Sequence, residues 1–308
     1  MGAADTVTKA YMRKNSIFAD AFNYLLYDGK RIIDPDSLNE LDTTEIALPF
    51  GDNSTDETVQ KYRDILKSAV VKQDEKIAYV LLGIENQTDI HYAMPVRNMI
   101  YDALQYGKQV SDTAAKHRKA SESGHNKAEY LSGFYKSDKL TPVITLVVHF
   151  GADAWDAPLS LHEMMDVPTD ILRFVPDYRI QLIDPARMSP TDLMKLETSL
   201  REVMGYIKYS KDSEKLSDFL NDNSRMWIER TAAQVIKTIT HTPIDIPEGA
   251  DEINMCEAIE KMMNDREKKG KVEVLAGLVK DGLLNVKDAA ARLGMTLEDF
   301  EAAMKKLS

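Results

Sequence analysis

The sequence predicts an α/β fold that ends in an α-helical extension. Apolar runs of strand length, rich in β-branched residues, occur at 77–85 and 142–150. Helical periodicity precedes and separates these runs, and from residue 191 onward it is the only period present. Strands that alternate with helices predict a sheet flanked by helices, and the later helices predict an extension of that core.

A first helix is predicted at residues 16–27 because its apolar residues repeat at helical spacing. These apolar residues are Ile17, Phe18, Ala21, Phe22, Leu25 and Leu26. The pair Asp28-Gly29 is a turn signal that ends the helix. A segment rich in turn-forming residues follows, and it contains a short predicted strand at 45–48.

Two further strands are predicted at residues 62–71 and 77–85, with a turn at 73–76 between them. This spacing is typical of a β-hairpin. The second strand contains the uninterrupted apolar run YVLLGI. Such a run predicts a strand that is buried on both faces of the sheet.

The elements that follow are a helix at 94–110, a strand at 142–150 and a strand at 178–183. The β-branched run TPVITLVVHFG carries the strand at 142–150. Between the two strands, residues 156–165 are consistent with either a helix or an irregular segment.

The C-terminal part of the chain has helical periodicity throughout. Helices are predicted at 192–208, 213–219 and 226–239, followed by a helical region at 251–308 that is broken at Gly282 and Gly294. Together with the α/β part, these changes of period predict three segments, at residues 1–190, 191–270 and 271–308.

The last segment is similar to a helix-turn-helix arrangement, with Thr296 as the cap of its second helix. This second helix carries Glu298, Asp299 and Glu301 where a recognition helix uses Arg or Asn. Packing, or self-association into a homo-oligomer, is therefore favoured over DNA reading, although both interpretations stay open.

Composition excludes several classes of protein. The chain has 39 Lys and Arg against 50 Asp and Glu, a net charge of −11, which disfavours a protein that coats nucleic acid non-specifically. Cys256 is the only cysteine, which excludes an internal disulfide or a multi-cysteine metal site. No apolar run approaches the ~20 residues of a membrane helix, and no secretory apolar segment is present. We therefore expect a cytoplasmic protein without a membrane partner.

The predicted hairpin carries the strongest candidates for chemistry. Asp64 lies near the start of its first strand, and Glu85 and Gln87 lie at the end of its second. Residues two apart on a strand point to the same side, so Glu85 and Gln87 share a face. Antiparallel pairing can bring Asp64 opposite them. Two carboxylates that converge at strand ends can hold a hard divalent cation such as Mg²⁺.

Basic residues downstream of the hairpin are candidates for contacts with phosphate. Arg97 and Tyr101 are four residues apart on a predicted helix and share one face. Arg97 can contact a phosphate with two N–H groups, or it can pair with a core carboxylate. The stretch 108–139 is either a phosphate-contacting segment or a solvated loop. Its candidates for DNA contact are Lys108, Lys116, Arg118 and Lys119.

The order of segments resembles the Rpn family of recombination-promoting nucleases, also described as YhgA-like transposases, within the PD-(D/E)xK nuclease superfamily. The matching segments are IFADAFNYLLYDGK, ELDTTEIALPFG, YRDIL, LLGIENQT, YAMPVRNMIYDALQY, TPVITLVVHFG, WDAPLSLHEMMD and DAAARLGMTLEDF. The resemblance covers nearly the whole chain. It implies a restriction-endonuclease-like core at 1–190, with a mixed sheet between helices.

The resemblance also implies the chemistry. Asp64 and Glu85 match the acidic residues of the family motif and would hold Mg²⁺, or Mn²⁺ in its place, helped by the backbone carbonyl of Asn86. Gln87 stands where the wider superfamily has lysine, and it would orient a water or the phosphate. Asp20 matches an early acidic position of the family and is an accessory candidate; the alternative is a solvated helix carboxylate.

The function predicted from the resemblance is a metal-dependent DNA endonuclease of the recombination-promoting, transposase-like type. The alternative is a non-catalytic, transposase-derived module that binds DNA or a protein partner. The side-chain geometry of Asp64, Glu85 and Gln87 distinguishes the two, because only the enzyme requires them to converge.

Overall fold

The computed structural model describes residues 2–42, 44–47, 59–62, 64–73, 76–120, 127–221, 223 and 226–306. Residues 74 and 75 of the turn predicted at 73–76, and the end of the predicted strand at residue 48, lie outside the described residues. By their contacts, residues Met1–Asp222 and Thr231–Thr242 form one compact unit, and Asn223–Arg230 and Pro243–Ser308 form a second. The predicted boundaries at 190 and 270 stay a prediction.

The helices and strands are numbered in chain order. The helices are α1 (Ala3–Met12), α2 (Asn15–Tyr27), α3 (Met94–Ala120), α4 (Lys127–Ser132), α5 (Thr169–Leu172), α6 (Pro190–Leu193), α7 (Leu200–Tyr209), α8 (Ser213–Asn221), α9 (Arg230–Thr240), α10 (Met255–Lys280), α11 (Val286–Leu293) and α12 (Leu297–Lys306). The strands are β1 (Asn39–Glu40), β2 (Thr44–Ala47), β3 (Val59–Tyr62), β4 (Ile65–Gln73), β5 (Lys76–Gln87), β6 (Val143–His149), β7 (Gln181–Ile183), β8 (Trp227–Glu229) and β9 (Glu252–Asn254).

The first unit is built on a mixed sheet with the strand order β1-β4-β5-β6-β7. β1 and β4 pair antiparallel, as do β4 and β5, whereas β5, β6 and β7 are parallel. The long helix α3 connects β5 to β6, as a parallel crossover requires. The predicted α/β class, with a mixed sheet flanked by helices and helices at the C-terminus, is confirmed.

The central strand β5 is covered on both faces, as its apolar run predicts. On one side Leu82 and Ile84 are fully buried, and the neighbouring Lys67 of β4 lies over the ring of Phe18 in α2. On the other side, α3 contributes Met94 to a cluster with Val147, Trp155, Ala157 and Ile180. The C-terminal end of β5 therefore lies in a buried environment between two helical layers.

The structure divides two of the predicted helices. The predicted helix at 192–208 is α6 and α7, separated by a loop whose backbone N–H groups at Glu197 and Thr198 are bound by the carboxylate of Asp20. The predicted helix at 226–239 begins as strand β8, which pairs with β9 before α9 starts. Helix α3 continues ten residues beyond its predicted end at 110.

The second unit contains α10, α11 and α12, which enclose a small core of Ala276, Ala289, Ala290 and Phe300. The side chain of Asn254 caps α10, and Gly294 ends α11 in the left-handed conformation that glycine adopts readily. Val274 and Leu283 are exposed on this unit. Self-association through these helices stays a prediction.

Within the described ranges, none of the helices combines the length and apolar character that a membrane span requires.

Candidate active site

Asp64 and Glu85 meet at the open end of the β4–β5 hairpin. The register pairs Ile65 with Ile84, so Asp64 precedes the first pair and faces the end of β5. The backbone N–H of Asp64 donates to Glu85 Oε1 at 3.3 Å, and the backbone N–H of Asn86 donates to Asp64 Oδ2 at 2.9 Å. Each carboxylate therefore accepts a hydrogen bond from a backbone N–H group at or beside the other acidic residue, and the two carboxylates converge.

The carboxylate of Glu85 is fully buried and paired with a cation from α3. Its side chain is 0% exposed, and Glu85 Oε2 lies 3.0 Å from Arg97 Nη2. Burial opposes the charged guanidinium, but the charge of Glu85, together with Tyr101 and the charge of Asp64, raises the pKa of Arg97 above its ordinary value. The ion pair between Arg97 and a core carboxylate, one of the two predicted alternatives, is thus present.

Tyr101 lies beneath the same pair. Its hydroxyl oxygen accepts a hydrogen bond from Arg97 Nε at 3.3 Å, and the guanidinium lies 5.7 Å from the ring centre. Burial, followed by the charge of Glu85, raises the pKa of the Tyr101 hydroxyl. Tyr101 therefore remains a neutral hydrogen-bonding group that orients Arg97, and contact of either residue with phosphate stays a prediction.

Asp64 is also desolvated, although less completely. Burial raises the pKa of its carboxyl, while the hydrogen bond from Asn86 and the charge of Lys9 act in the opposite direction. Its Oδ2 is bound by the backbone, and its Oδ1 lies 3.6 Å from Lys9 Nζ. A raised pKa of a carboxyl that lies beside a second carboxylate is typical of functional sites.

Gln87 makes a different contact from the one its position predicts. Its side chain is buried, and its Nε2 donates to the carbonyl oxygen of Asn86 at 3.0 Å. The amide of Gln87 thus hydrogen-bonds to the backbone of β5, whereas the carboxylates of Asp64 and Glu85 accept hydrogen bonds from the backbone N–H groups of Asn86 and Asp64. The role of Gln87 in orienting a water or a phosphate stays a prediction.

The donor set at this strand end fits a hard divalent cation. N–H and C=O groups of one strand residue point to the same side, so the Asn86 carbonyl opens toward the side where its N–H meets Asp64. Two carboxylates and a carbonyl are oxygen donors of the kind that Mg²⁺ accepts, with water completing the sphere. In the described part of the chain, no group of three or more acidic, histidine or cysteine side chains is arranged to hold a metal ion.

Asp20 has a structural role. Its carboxylate accepts hydrogen bonds from the N–H groups of Glu197 and Thr198 and from the Thr198 hydroxyl, at 2.5–3.1 Å. These bonds fix the loop between α6 and α7. The predicted alternative, a solvated carboxylate, is wrong because Asp20 is 6% exposed. An accessory role at the Asp64 site stays a prediction.

The predicted DNA-contacting residues all lie on α3 and are exposed. They are Lys108, Lys116, Arg118 and Lys119. Lys116 follows Arg97 by 19 residues, which corresponds to roughly 28 Å along a helix. Lys116 is therefore separated from Arg97 by about eight base pairs of duplex DNA, at ~3.4 Å per base pair, whereas Lys108 is separated from Arg97 by roughly 16 Å.

Lys9 of α1 is a neighbour of Asp64 that the sequence did not predict. Helix α1 places Asp5 and Lys9 four residues apart, and both influence the charge state of Asp64. Lys9 precedes Asp64 by 55 residues, and no motif in α1 connects the two. Only the packing of α1 against the sheet reveals this contact.

A family model described as "Putative transposase, YhgA-like" matches residues 34–234, which is about two thirds of the chain. The matched range contains Asp64, Glu85, Gln87 and Arg97, whereas Lys9 precedes it. Neither the curated proteins nor the solved structures contain a match to this chain.

Proposed function

We propose that this chain, which belongs to the YhgA-like transposase family, is a metal-dependent DNA endonuclease. Membership supports a transposase-like or nuclease-like function in general terms. The finer proposal rests on one observation, the convergence of Asp64 and Glu85 at the open end of the β4–β5 hairpin. Desolvated carboxylates at a strand end oppose folding, and such unfavourable arrangements occur most often at functional sites.

The proposed metal ligands are the Asp64 and Glu85 carboxylates and the Asn86 carbonyl, and the metal is Mg²⁺ or Mn²⁺. When bound, such a cation lowers the pKa of a coordinated water and stabilises charge on a phosphate. The chain's own residues orient this site. The Asn86 N–H fixes Asp64, Arg97 fixes Glu85, and the Gln87 amide holds the Asn86 carbonyl in place.

The test is plasmid nicking by the full-length protein with Mg²⁺ or Mn²⁺, with and without EDTA. We expect the wild type to nick the plasmid only when the metal is present and Asp64→Ala to be inactive, because the substitution removes a ligand. Asp36→Ala is the matched control, since Asp36 is an exposed acid in the short helical turn before β1. It should cleave like the wild type.

Equal nicking by wild type and Asp64→Ala would exclude the proposed site. Absence of nicking with either metal, together with retained DNA binding, would instead favour the non-catalytic binding module. One observation supports this second function. Lys9 and Arg97 form ion pairs with Asp64 and Glu85, so each carboxylate already has a cationic partner. A metal has to compete with both cations.

DNA binding should depend on salt through the basic residues at the end of α3. Reversing Lys116, Arg118 and Lys119 to Glu removes up to three phosphate contacts. Each phosphate contact that is lost means that fewer counterions are released on binding. The magnitude of the slope of log K against log salt should therefore decrease by roughly one per contact. The measurement is fluorescence anisotropy of a labelled duplex over a range of salt concentrations.

Lys268, Lys269 and Lys271 of α10 provide a matched control, because their side chains are also exposed and basic. Reversing these three residues changes the net charge equally. If both triple variants lower the slope by the same amount, overall charge explains the effect and α3 has no specific contact. An unchanged slope in the α3 variant would identify the stretch as solvated only.

A further inference from the structure

Lys9 brings a positive charge to the mouth of the candidate active site. Its Nζ lies 3.6 Å from Asp64 Oδ1, and the two side chains are 22% and 15% exposed. This distance is too long for a hydrogen bond, so the ammonium is attracted to the carboxylate without being locked to it. Lys9 is therefore partly buried and still able to reorient toward another anion.

The helix that carries Lys9 is firmly held. Lys67, a buried lysine of β4, donates from Nζ to the carbonyl oxygen of Arg13 just after α1 ends, at 2.5 Å. The Tyr11 hydroxyl is hydrogen-bonded to Ser199 Oγ at 2.8 Å, and Met12 is fully buried. The position of Lys9 beside Asp64 is thus fixed by the fold of the first unit, while only its side chain is free to move.

Position 87 of β5 cannot supply a cation to the reacting phosphate. Gln87 is neutral, and its amide is bonded to the Asn86 carbonyl. Arg97 is paired with the fully buried Glu85. Lys9 is the remaining cation in contact with the two carboxylates among the described ion pairs. The negative charge that grows on a phosphate during cleavage is stabilised best by a cation held nearby in advance.

We propose that Lys9 contacts the scissile phosphate and stabilises the charge that develops there, in place of a lysine on β5. This inference rests on the proposed nuclease function. In this role Lys9 acts through its electrostatic attraction to the phosphate and forms no covalent bond.

Charge balance supports this role. The charges of Lys9 and Arg97 offset those of Asp64 and Glu85, so the formal charges of these four side chains sum to zero. When the carboxylates are shared with a divalent cation, the cluster has a positive surplus that attracts a phosphodiester. Lys9 is paired with the more exposed of the two carboxylates, since Asp64 is 15% exposed and Glu85 is 0% exposed, so its ammonium can leave its partner at a smaller cost than the guanidinium of Arg97 can.

A purely structural role explains Lys9 less well. Ion pairs with partial exposure and no direct hydrogen bond contribute little to stability. The anchoring of α1 is already supplied by Lys67, Tyr11 and Met12. A structural pair would also leave DNA affinity unchanged on substitution, which gives the two interpretations different experimental outcomes.

The experiment compares wild type, Lys9→Gln and Lys9→Arg, with Lys30→Gln as a control at an exposed lysine after α2. Single-turnover cleavage with Mg²⁺ gives the first readout. Salt dependence of binding to a labelled duplex in Ca²⁺, which also takes oxygen ligands, gives a second readout that is independent of activity. Melting curves confirm that each variant is folded.

We expect Lys9→Gln to cleave about 100-fold more slowly, the cost of removing one preorganised group from a transition state. Its salt slope should fall by about 0.9, the value for one lost phosphate contact. Lys9→Arg should retain the slope, and Lys30→Gln should match the wild type in both readouts.

Either readout alone can overturn the proposal. A normal cleavage rate would show that Lys9 does not act in the transition state, and a normal slope would show that it only positions Asp64. If the wild type itself does not cleave DNA, the proposed function fails, and the slope of Lys9→Gln still decides whether Lys9 contacts phosphate.

Discussion

Asp64→Asn should abolish DNA cleavage and at the same time raise the melting temperature at neutral pH. Asparagine keeps an oxygen that can accept the hydrogen bond from the Asn86 N–H, but it removes the charge that would bind a metal. The metal supplies several kcal/mol of transition-state stabilisation, so a loss on the order of 1,000-fold or more is expected.

The gain in stability follows from the raised pKa of Asp64. Burial raises this pKa above its ordinary value of 3.8, so the folded state binds the proton more tightly than the unfolded state. The stabilisation that results from this tighter proton binding by Asp64 is therefore present at low pH and is lost as the pH rises through the raised pKa. At neutral pH the wild type bears the cost of a desolvated charge, and the asparagine variant does not.

Melting curves of wild type and Asp64→Asn between pH 3 and pH 8 measure this difference. Roughly 1 kcal/mol corresponds to ~2–4 °C in a domain of 150–250 residues, so a rise of a few degrees is expected at neutral pH. The difference should disappear in acid, where both side chains are neutral. Asp36→Asn, at an exposed position, is the control and should melt like the wild type. A melting temperature of Asp64→Asn below that of the wild type would show instead that the charged carboxylate stabilises the folded state.

The hairpin part of the site could be predicted because local pattern determines it. The apolar run of β5 predicts a central strand, and the short turn predicts antiparallel pairing with β4. Together these two features place Asp64 against Glu85, and the register of Ile65 with Ile84 agrees. No long-range information is needed for this part.

The contributions of α1 and α2 depend on tertiary packing and could not be predicted. Lys9 is distant from Asp64 in sequence, and its helix has no motif that identifies a partner. Asp20 is a carboxylate on a helix, and its true partners, the N–H groups of Glu197 and Thr198, lie 177 and 178 residues away. These bonds also explain why the helix predicted at 192–208 is interrupted, since they draw the backbone of this loop away from helical bonding.

Gln87 shows where strand alternation alone is insufficient. Alternation correctly places Glu85 and Gln87 on one side of β5, and both are buried. It does not determine the side-chain torsions of a long amide, which folds back to the carbonyl of Asn86. The prediction that Gln87 touches water or phosphate thus depends on a rotamer that the sequence does not specify.

Arg97→Met should destabilise the fold by about 3 kcal/mol, the lower end of the range for breaking a buried ion pair. The substitution leaves the charge of Glu85, which is 0% exposed, without the guanidinium at 3.0 Å. The lower end applies because Arg97 is 32% exposed, so water screens part of the interaction. Urea unfolding measures the loss, with Arg118→Met on the exposed part of α3 as the control.

The double variant Arg97→Met/Glu85→Gln separates the ion pair from simple packing. Removing both charges leaves neither buried without a counter-ion, so most of the lost free energy of unfolding should return. If the two substitutions were instead additive, the destabilisation would come from lost packing of the Arg97 side chain. Because Glu85 would then not need Arg97 for its burial, the guanidinium would be free to contact phosphate in the metal-free protein.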